Sequence, residues 1–144
     1  MTTGEFTESE SVDGLEPLER WERPDAMSGV VQHYSNEVLG LCPFYEGVRD
    51  HYDVYIKYQP GEYCVELKSL KFYFQQFEDM RISHEEICGT FYEDLKELLN
   101  PEWIEVQTIV GRRGSVDTSV VHSNRPQDEA SIETDVLSQT VSRE

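Results

Sequence analysis

Basic residues are scarce in this chain: 12 Lys and Arg stand against 29 Asp and Glu, a formal charge of −17 over 144 residues. Nucleic acid and anionic membrane surfaces are therefore poor bulk partners, because their phosphates would meet a repulsive field. The same charge suits a protein kept soluble in strong salt, so a halophilic source is an expectation. Also missing are a run of about 18 apolar residues and a basic N-terminal stretch leading into an apolar one. A soluble, cytoplasmic protein is expected. Cysteine is limited to Cys42, Cys64 and Cys88, with no CxxC or Cys/His spacing. That lack excludes a sequence-local zinc site, and the odd count points to free thiols in a reducing compartment. No internal repeat is visible. Hydrophobic residues reach 38% and aromatics 11%, enough for one modest core and one domain.

Three stretches differ in texture. Residues 1–36 hold eight acids against two arginines without sustained periodicity, and read as an acidic, flexible leader with one strip docking through Leu15, Leu18 and Trp21. Residues 124–144 read as a polar acidic tail. Between them, 37–123 carries the fold signals.

His51 to Tyr58 alternates and is rich in Tyr, Val and Ile, which predicts a half-buried strand. Gln59-Pro60-Gly61-Glu62 is a turn, and Tyr63 to Glu66 reads as the returning strand of a hairpin. A helix follows, with Ser69 near its N-cap and Leu70, Phe74 and Phe77 spaced for burial. Ser83 with Glu86 forms a capping-box pattern, opening a second helix whose stripe is Ile87, Phe91, Leu95 and Leu98. Asn100-Pro101 ends it. Trp103 to Val110 and Ser115 to Val121 are two further strands about the Arg112-Arg113-Gly114 turn. The expected fold is α+β, order ββααββ: a four-stranded antiparallel sheet with two helices on one face. Its exposed edges would be removed if sheets closed into a barrel between subunits.

Four constellations could carry chemistry. Cys42 lies in Leu-Cys-Pro-Phe-Tyr-Glu-Gly, a loop ahead of the first predicted strand, where Pro43 stiffens the thiol's position. Asp50 follows closely enough for the loop to fold its carboxyl back toward the sulfur. A thiolate with a proton donor is what a nitrile requires, since sulfur adds to carbon as nitrogen is protonated. A buried packing role is the alternative for any lone cysteine, and it suits Cys64 and Cys88, in a strand and a helix. Glu66-Leu67-Lys68-Ser69-Leu70-Lys71 sits at a strand-to-helix junction, where backbone donors and two of the chain's four lysines could hold phosphate. His84-Glu85 could hold a base-like ligand, the carboxylate accepting from a guanine-type N–H edge; otherwise Glu85 and Glu86 merely complement the helix dipole. Arg113-Gly114 could clamp a phosphate, or be an ordinary basic surface turn.

Taken together, Leu39 to Ser123 resembles the NADPH-dependent 7-cyano-7-deazaguanine reductases of the queuosine pathway, the short single-domain type of the tunnelling fold. The most specific piece is Glu66-Leu67-Lys68-Ser69-Leu70-Lys71-Phe72-Tyr73, which matches the family's lysine motif and separates it from the zinc-dependent GTP cyclohydrolase I relatives. No zinc ligand set is present, so no metal is expected. The resemblance implies Cys42 as the nucleophile that forms a thioimide and Asp50 as the proton donor, allowing a one-residue insertion, with Asp53 the fallback. It implies Val65, Glu66, Leu67, His84 and Glu85 against the substrate. Leu67, Lys68, Ser69, Lys71, Arg113 and Gly114 would meet NADPH. It further implies two hydride transfers that take the nitrile to an aminomethyl group, and pentamer rings stacking into decamers. Where the family often reads Phe-Arg-Asn or Phe-Asn-Gln, this chain has Phe77-Glu78-Asp79, an acid in place of a cation. Two other classes fit parts of the pattern. One resembles the archaeal amidinotransferases, which share the cysteine and aspartate and add ammonia to the same nitrile in transfer RNA. The other is a non-catalytic, purine-binding module of this fold.

Overall fold

A computed structural model describes residues 10–11, 18–113 and 116–126. The chain forms β1 (Glu10–Ser11), β2 (Glu19–Glu22), β3 (Val31–Leu41), β4 (Arg49–Gln59), β5 (Tyr63–Val65), α1 (Leu67–Gln75), α2 (His84–Leu99), β6 (Trp103–Arg113) and β7 (Val116–Ser123). Two antiparallel sheets result: a large one ordered β3-β4-β6-β7 and a small one ordered β1-β2-β5.

β4 shows why the large sheet has one dry face. Tyr52, Val54, Ile56 and Tyr58 are buried while the residues between them are not, because successive side chains point to opposite faces. On that dry face α2 lays Ile87, Phe91, Leu95 and Leu98, each at most 1% exposed, the stripe that the periodicity predicts. Leu70, Phe74 and Phe77 are buried beside them, and the Phe77 and Phe91 rings meet edge to face at 5.0 Å, a favoured aromatic geometry. Ser83 and Glu86 form the reciprocal capping box at the start of α2. At its other end Asn100 adopts φ 45°, a left-handed cap that an amide side chain tolerates.

The α+β class with two helices and an antiparallel sheet stands; the expected element order needs correction. Residues 19–22 and 31–36, assigned to a flexible leader, are strand, whereas Leu18, expected to dock, is fully buried. β3 escapes the alternation test because Ser35-Asn36-Glu37 interrupts it, and its register with β4 shifts between Ser35 and Val38. Tyr63–Val65 does not return along β4: Val65 pairs with Arg20 and Tyr63 with Glu22. α1 also begins earlier than expected. Its N-cap is Glu66, not Ser69, because the Glu66 carboxylate accepts from the amides of Ser69 at 2.7 Å and Lys68 at 3.2 Å. Leu15 and the tail beyond residue 126 lie outside the described residues.

Candidate active site

The thiol loop continues the ladder between β3 and β4. Gly40 lies opposite Asp50 and Leu41 opposite Arg49. The Cys42 amide then donates to Val48 O at 2.9 Å, so Cys42 and Asp50 are diagonal neighbours, about 7–8 Å apart between backbones in such a ladder. Asp50 shares the side of β4 occupied by Tyr52 and Val54, the helix side, whereas Asp53 alternates to the opposite side. Cys42 is half-buried, and the Phe44 amide donates to its Sγ at 3.4 Å. An Arg81 guanidinium nitrogen donates to Pro43 O at 3.0 Å and fixes the loop against the connector between the helices.

His84, the first residue of α2, comes to the same end of the sheet. Its Nε2 lies 3.1 Å from Thr108 O and 2.8 Å from Thr108 Oγ1. A carbonyl can only accept, so the neutral ring carries its proton on Nε2 and leaves Nδ1 as an acceptor. Nδ1 is buried without a protein partner. Burial lowers the His84 pKa from its ordinary value, against raising influences from the Thr108 carbonyl, Glu85 and Asp50. The ring is therefore neutral near pH 7, and it senses the charge of Asp50. Glu85, exposed on the first turn, borders an open groove of about 540 Å³ shared with Arg81 and His122. Two segments distant in sequence meet at this end of the sheet: the β3–β4 hairpin with Cys42 and Asp50, and the start of α2 with His84 and Glu85, joined by the bridge between Leu41 and Arg81.

The lysine motif lies elsewhere. A second cleft of about 660 Å³ opens between α1 and the edge strand β3, bordered by His33, Tyr34, Glu66, Leu67, Lys68 and Lys71. Its floor is apolar, with Val54, Ile56, Leu70 and Phe74. Ser69 stands behind the cleft, 4% exposed. Its hydroxyl donates to Glu66 O at 2.8 Å and accepts from the Glu19 amide at 2.9 Å, which ties α1 to β2. Val65 is also buried, its amide donating to the Tyr58 hydroxyl at 3.0 Å. Because the Glu66 carboxylate already occupies the Lys68 and Ser69 amides at the start of α1, positive charge in the cleft comes mainly from Lys68 and Lys71. Glu37, the cleft residue nearest to Cys42 along β3, is five positions away, on the order of 16 Å. Within one chain, the thiol group and the lysine cleft are separate places.

Glu78 and Asp79 do not face that cleft. The Arg49 guanidinium donates to Glu78 O and pairs with the Asp79 carboxylate at 3.4 Å. Gly114 lies outside the described residues, and Arg113 is placed only as a β6 residue opposite Val116. Cys64 and Cys88 are 6% and 0% exposed; burial raises both thiol pKa values, that of Cys88 to about 11. His33 was missed in the sequence, since a histidine in an aperiodic acidic stretch carries no local signal.

A helix pair packed across an antiparallel sheet, with a half-buried thiol, a carboxylate and a neutral imidazole at one end, defines a class of small α+β protein. A solved structure described as an archaeosine synthase QueF-Like in the apo form shares this fold: the TM-score is 0.61 at 21% identity, covering 67% of this chain and 96% of that one. The family model described as QueF-like protein matches residues 49–129, and the chain belongs to that family. The matched segment begins after Cys42. Among curated relatives, the chain is 37% identical over 93 residues to the NADPH-dependent 7-cyano-7-deazaguanine reductase of Prochlorococcus marinus, covering 63% of this chain and 66% of the relative. A protein of the same name from Sulfurimonas denitrificans is 32% identical over 120 residues, 83% of this chain and 94% of its own length. A second Prochlorococcus relative is spanned over 58% of its length.

Proposed function

We propose that this chain reduces the nitrile of 7-cyano-7-deazaguanine to an aminomethyl group with NADPH, through covalent capture by Cys42. The observation that carries the reading is the convergence of Cys42, Asp50 and His84-Glu85 at one end of the sheet, in a chain whose named relatives are reductases of that nitrile.

Each residue has a chemical task. The Cys42 sulfur adds to the nitrile carbon, while Asp50 takes the thiol proton and passes it to the nitrile nitrogen, giving a thioimide. Asp50 fits better than Asp53 because it shares the helix side with the His84 ring. His84 accepts through Nδ1 and Glu85 through its carboxylate, which suits the N–H-rich edge of a deazaguanine. A buried acceptor that lacks a protein partner recovers its hydrogen bond from such a ligand.

The lysine cleft fits a dinucleotide. Its volume falls within the range of roughly 300–1,000 Å³ usual for small-molecule sites, its floor is apolar, and Lys68 and Lys71 supply the ammonium groups for phosphate. Leu67 and the exposed Phe72 ring offer apolar cover. NADPH, when bound, supplies hydride. Arg113 and Gly114 remain assigned to the same cofactor by resemblance. Ser69 acts by positioning α1.

The two places must meet for turnover, and we infer that they do so across a subunit interface in a ring-shaped homo-oligomer. β3 and β7 are the edges of the large sheet, and pairing such edges between copies would close a barrel. The experiment is complementation. Cys42→Ala and Lys68→Ala proteins, each inactive alone, are mixed under conditions of subunit exchange, and NADPH oxidation is followed at about 340 nm, the usual nicotinamide band. Recovered activity supports shared sites. Failure to recover it, with exchange verified by mass, rejects them. Nitrile adduct at Cys42 without NADPH oxidation by the parent protein would instead favour amidine formation on transfer RNA.

A further inference from the structure

His33 lies on the helix side of β3, paired with Ile56 of β4, and borders the cleft that holds Lys68 and Lys71. Its Nε2 is buried without a partner, and the centroids of the imidazole and the Tyr58 ring are 6.3 Å apart. Burial lowers its pKa, so the ring is neutral near pH 7. A neutral imidazole carries one N–H. With no acceptor at Nε2, that proton is better placed on Nδ1, the ring nitrogen not enclosed by protein. The floor around it is apolar, and both lysines offer charge without direction. A neutral donor on a rigid strand offers what they lack, a fixed hydrogen bond.

We propose that His33 is a third cofactor-contacting side chain, donating from Nδ1 to an oxygen of the dinucleotide held by Lys68 and Lys71. The inference rests on the reading of that cleft as the NADPH site, and the experiment separates the two. Asparagine reproduces a donor at the Nδ1 position and glutamine one at the Nε2 position, so the full-length His33→Asn and His33→Gln proteins form the decisive pair. NADPH itself is the probe, titrated by its fluorescence, with KM for NADPH and kcat measured beside it. A Lys68→Ala/Lys71→Ala protein is the reference, and thermal midpoints verify folding.

His33→Gln should raise Kd and KM for NADPH by roughly 3- to 10-fold, the usual worth of one neutral hydrogen bond, and His33→Asn should stay within about 2-fold of the parent on the same scale. If both variants bind as the parent does while the lysine variant has lost NADPH, His33 has no such role and the cleft reading survives. If both lose affinity equally, the Nδ1 donor is rejected. If the lysine variant binds NADPH undiminished, the cleft reading falls and takes the His33 contact with it.

Discussion

Replacing Glu66 tests how the lysine motif is built. Its carboxylate is the N-cap of α1, accepting from Ser69 N at 2.7 Å and Lys68 N at 3.2 Å, and no acid lies within the first turn of that helix to take over. Losing an N-cap to alanine costs about 0.5–2 kcal/mol. The shorter bond is charge-assisted and goes to a buried residue, so the upper part of that range applies, about 2 kcal/mol. At about 4 °C per kcal/mol for a domain of this size, Glu66→Ala should melt on the order of 8 °C below the parent. In a chain of net charge −17, removing any acid also relieves repulsion, which opposes the loss. Glu66→Gln controls for this: it removes the same charge but keeps one acceptor, and should lose about half as much. Glu66→Asp should melt within about 2 °C of the parent, since aspartate is a good N-cap, while drawing the carboxylate back from the cleft. Calorimetry of the purified variants is the assay. A Glu66→Ala midpoint within about 1 °C of the parent, on that same 4 °C scale, would refute the capping argument.

Thiol reactivity should divide the cysteines: Cys42, half-buried on a loop, reacts with iodoacetamide at pH 7.5 well before Cys64 or Cys88, whose thiols are buried and raised. Peptide mass mapping reads the order, and fast labelling of Cys88 would contradict its placement. His84 should make the fold acid-sensitive. Its folded pKa is lowered, so the unfolded chain binds the proton more readily; stability is full above the ordinary histidine value near 6.5 and declines as pH falls below it. Thermal midpoints at pH 7.5 and 5.5 should therefore differ less in His84→Gln than in the parent; an equal difference would remove His84 as the cause. Arg125 pairs with Glu105 at 3.6 Å, the two side chains 14% and 4% exposed, and lies over the Trp103 ring at 4.4 Å. Arg125→Ala leaves that carboxylate buried with only the Ser123 hydroxyl donating to it, and should cost about 3 kcal/mol by urea unfolding. A loss below about 1 kcal/mol would show the pair behaving as an exposed one.

The residues of the candidate site were readable as chemical types, not as an arrangement. Cys42 stands out by its loop, Glu66 to Lys71 by a rare pair of lysines, and His84-Glu85 by its place after a capping serine. Their grouping was not readable. Asp50 and Asp53 look alike in the sequence, and only the pairing of Asp50 with Gly40 assigns it to the side of His84. Ser69 looks like a phosphate ligand until its hydroxyl is found tied to Glu19 and Glu66.

The sequence by itself determined the buried stripes of the two helices, the capping box at Ser83, the stop at Asn100-Pro101 and the strand through Tyr52 to Tyr58. These depend on spacing within one segment, and side-chain period reports which side of an element is apolar. Tertiary structure alone decided that Val31–Leu41 is an edge strand, that Tyr63–Val65 pairs with Glu19–Glu22 instead of its neighbour, and that Glu66 caps α1. Backbone donors and acceptors are the same at every residue, so nothing in the local pattern says which distant strand will satisfy them. The choice falls to the packing of the whole chain, and it sets the thiol group and the lysine cleft at separate places on one subunit.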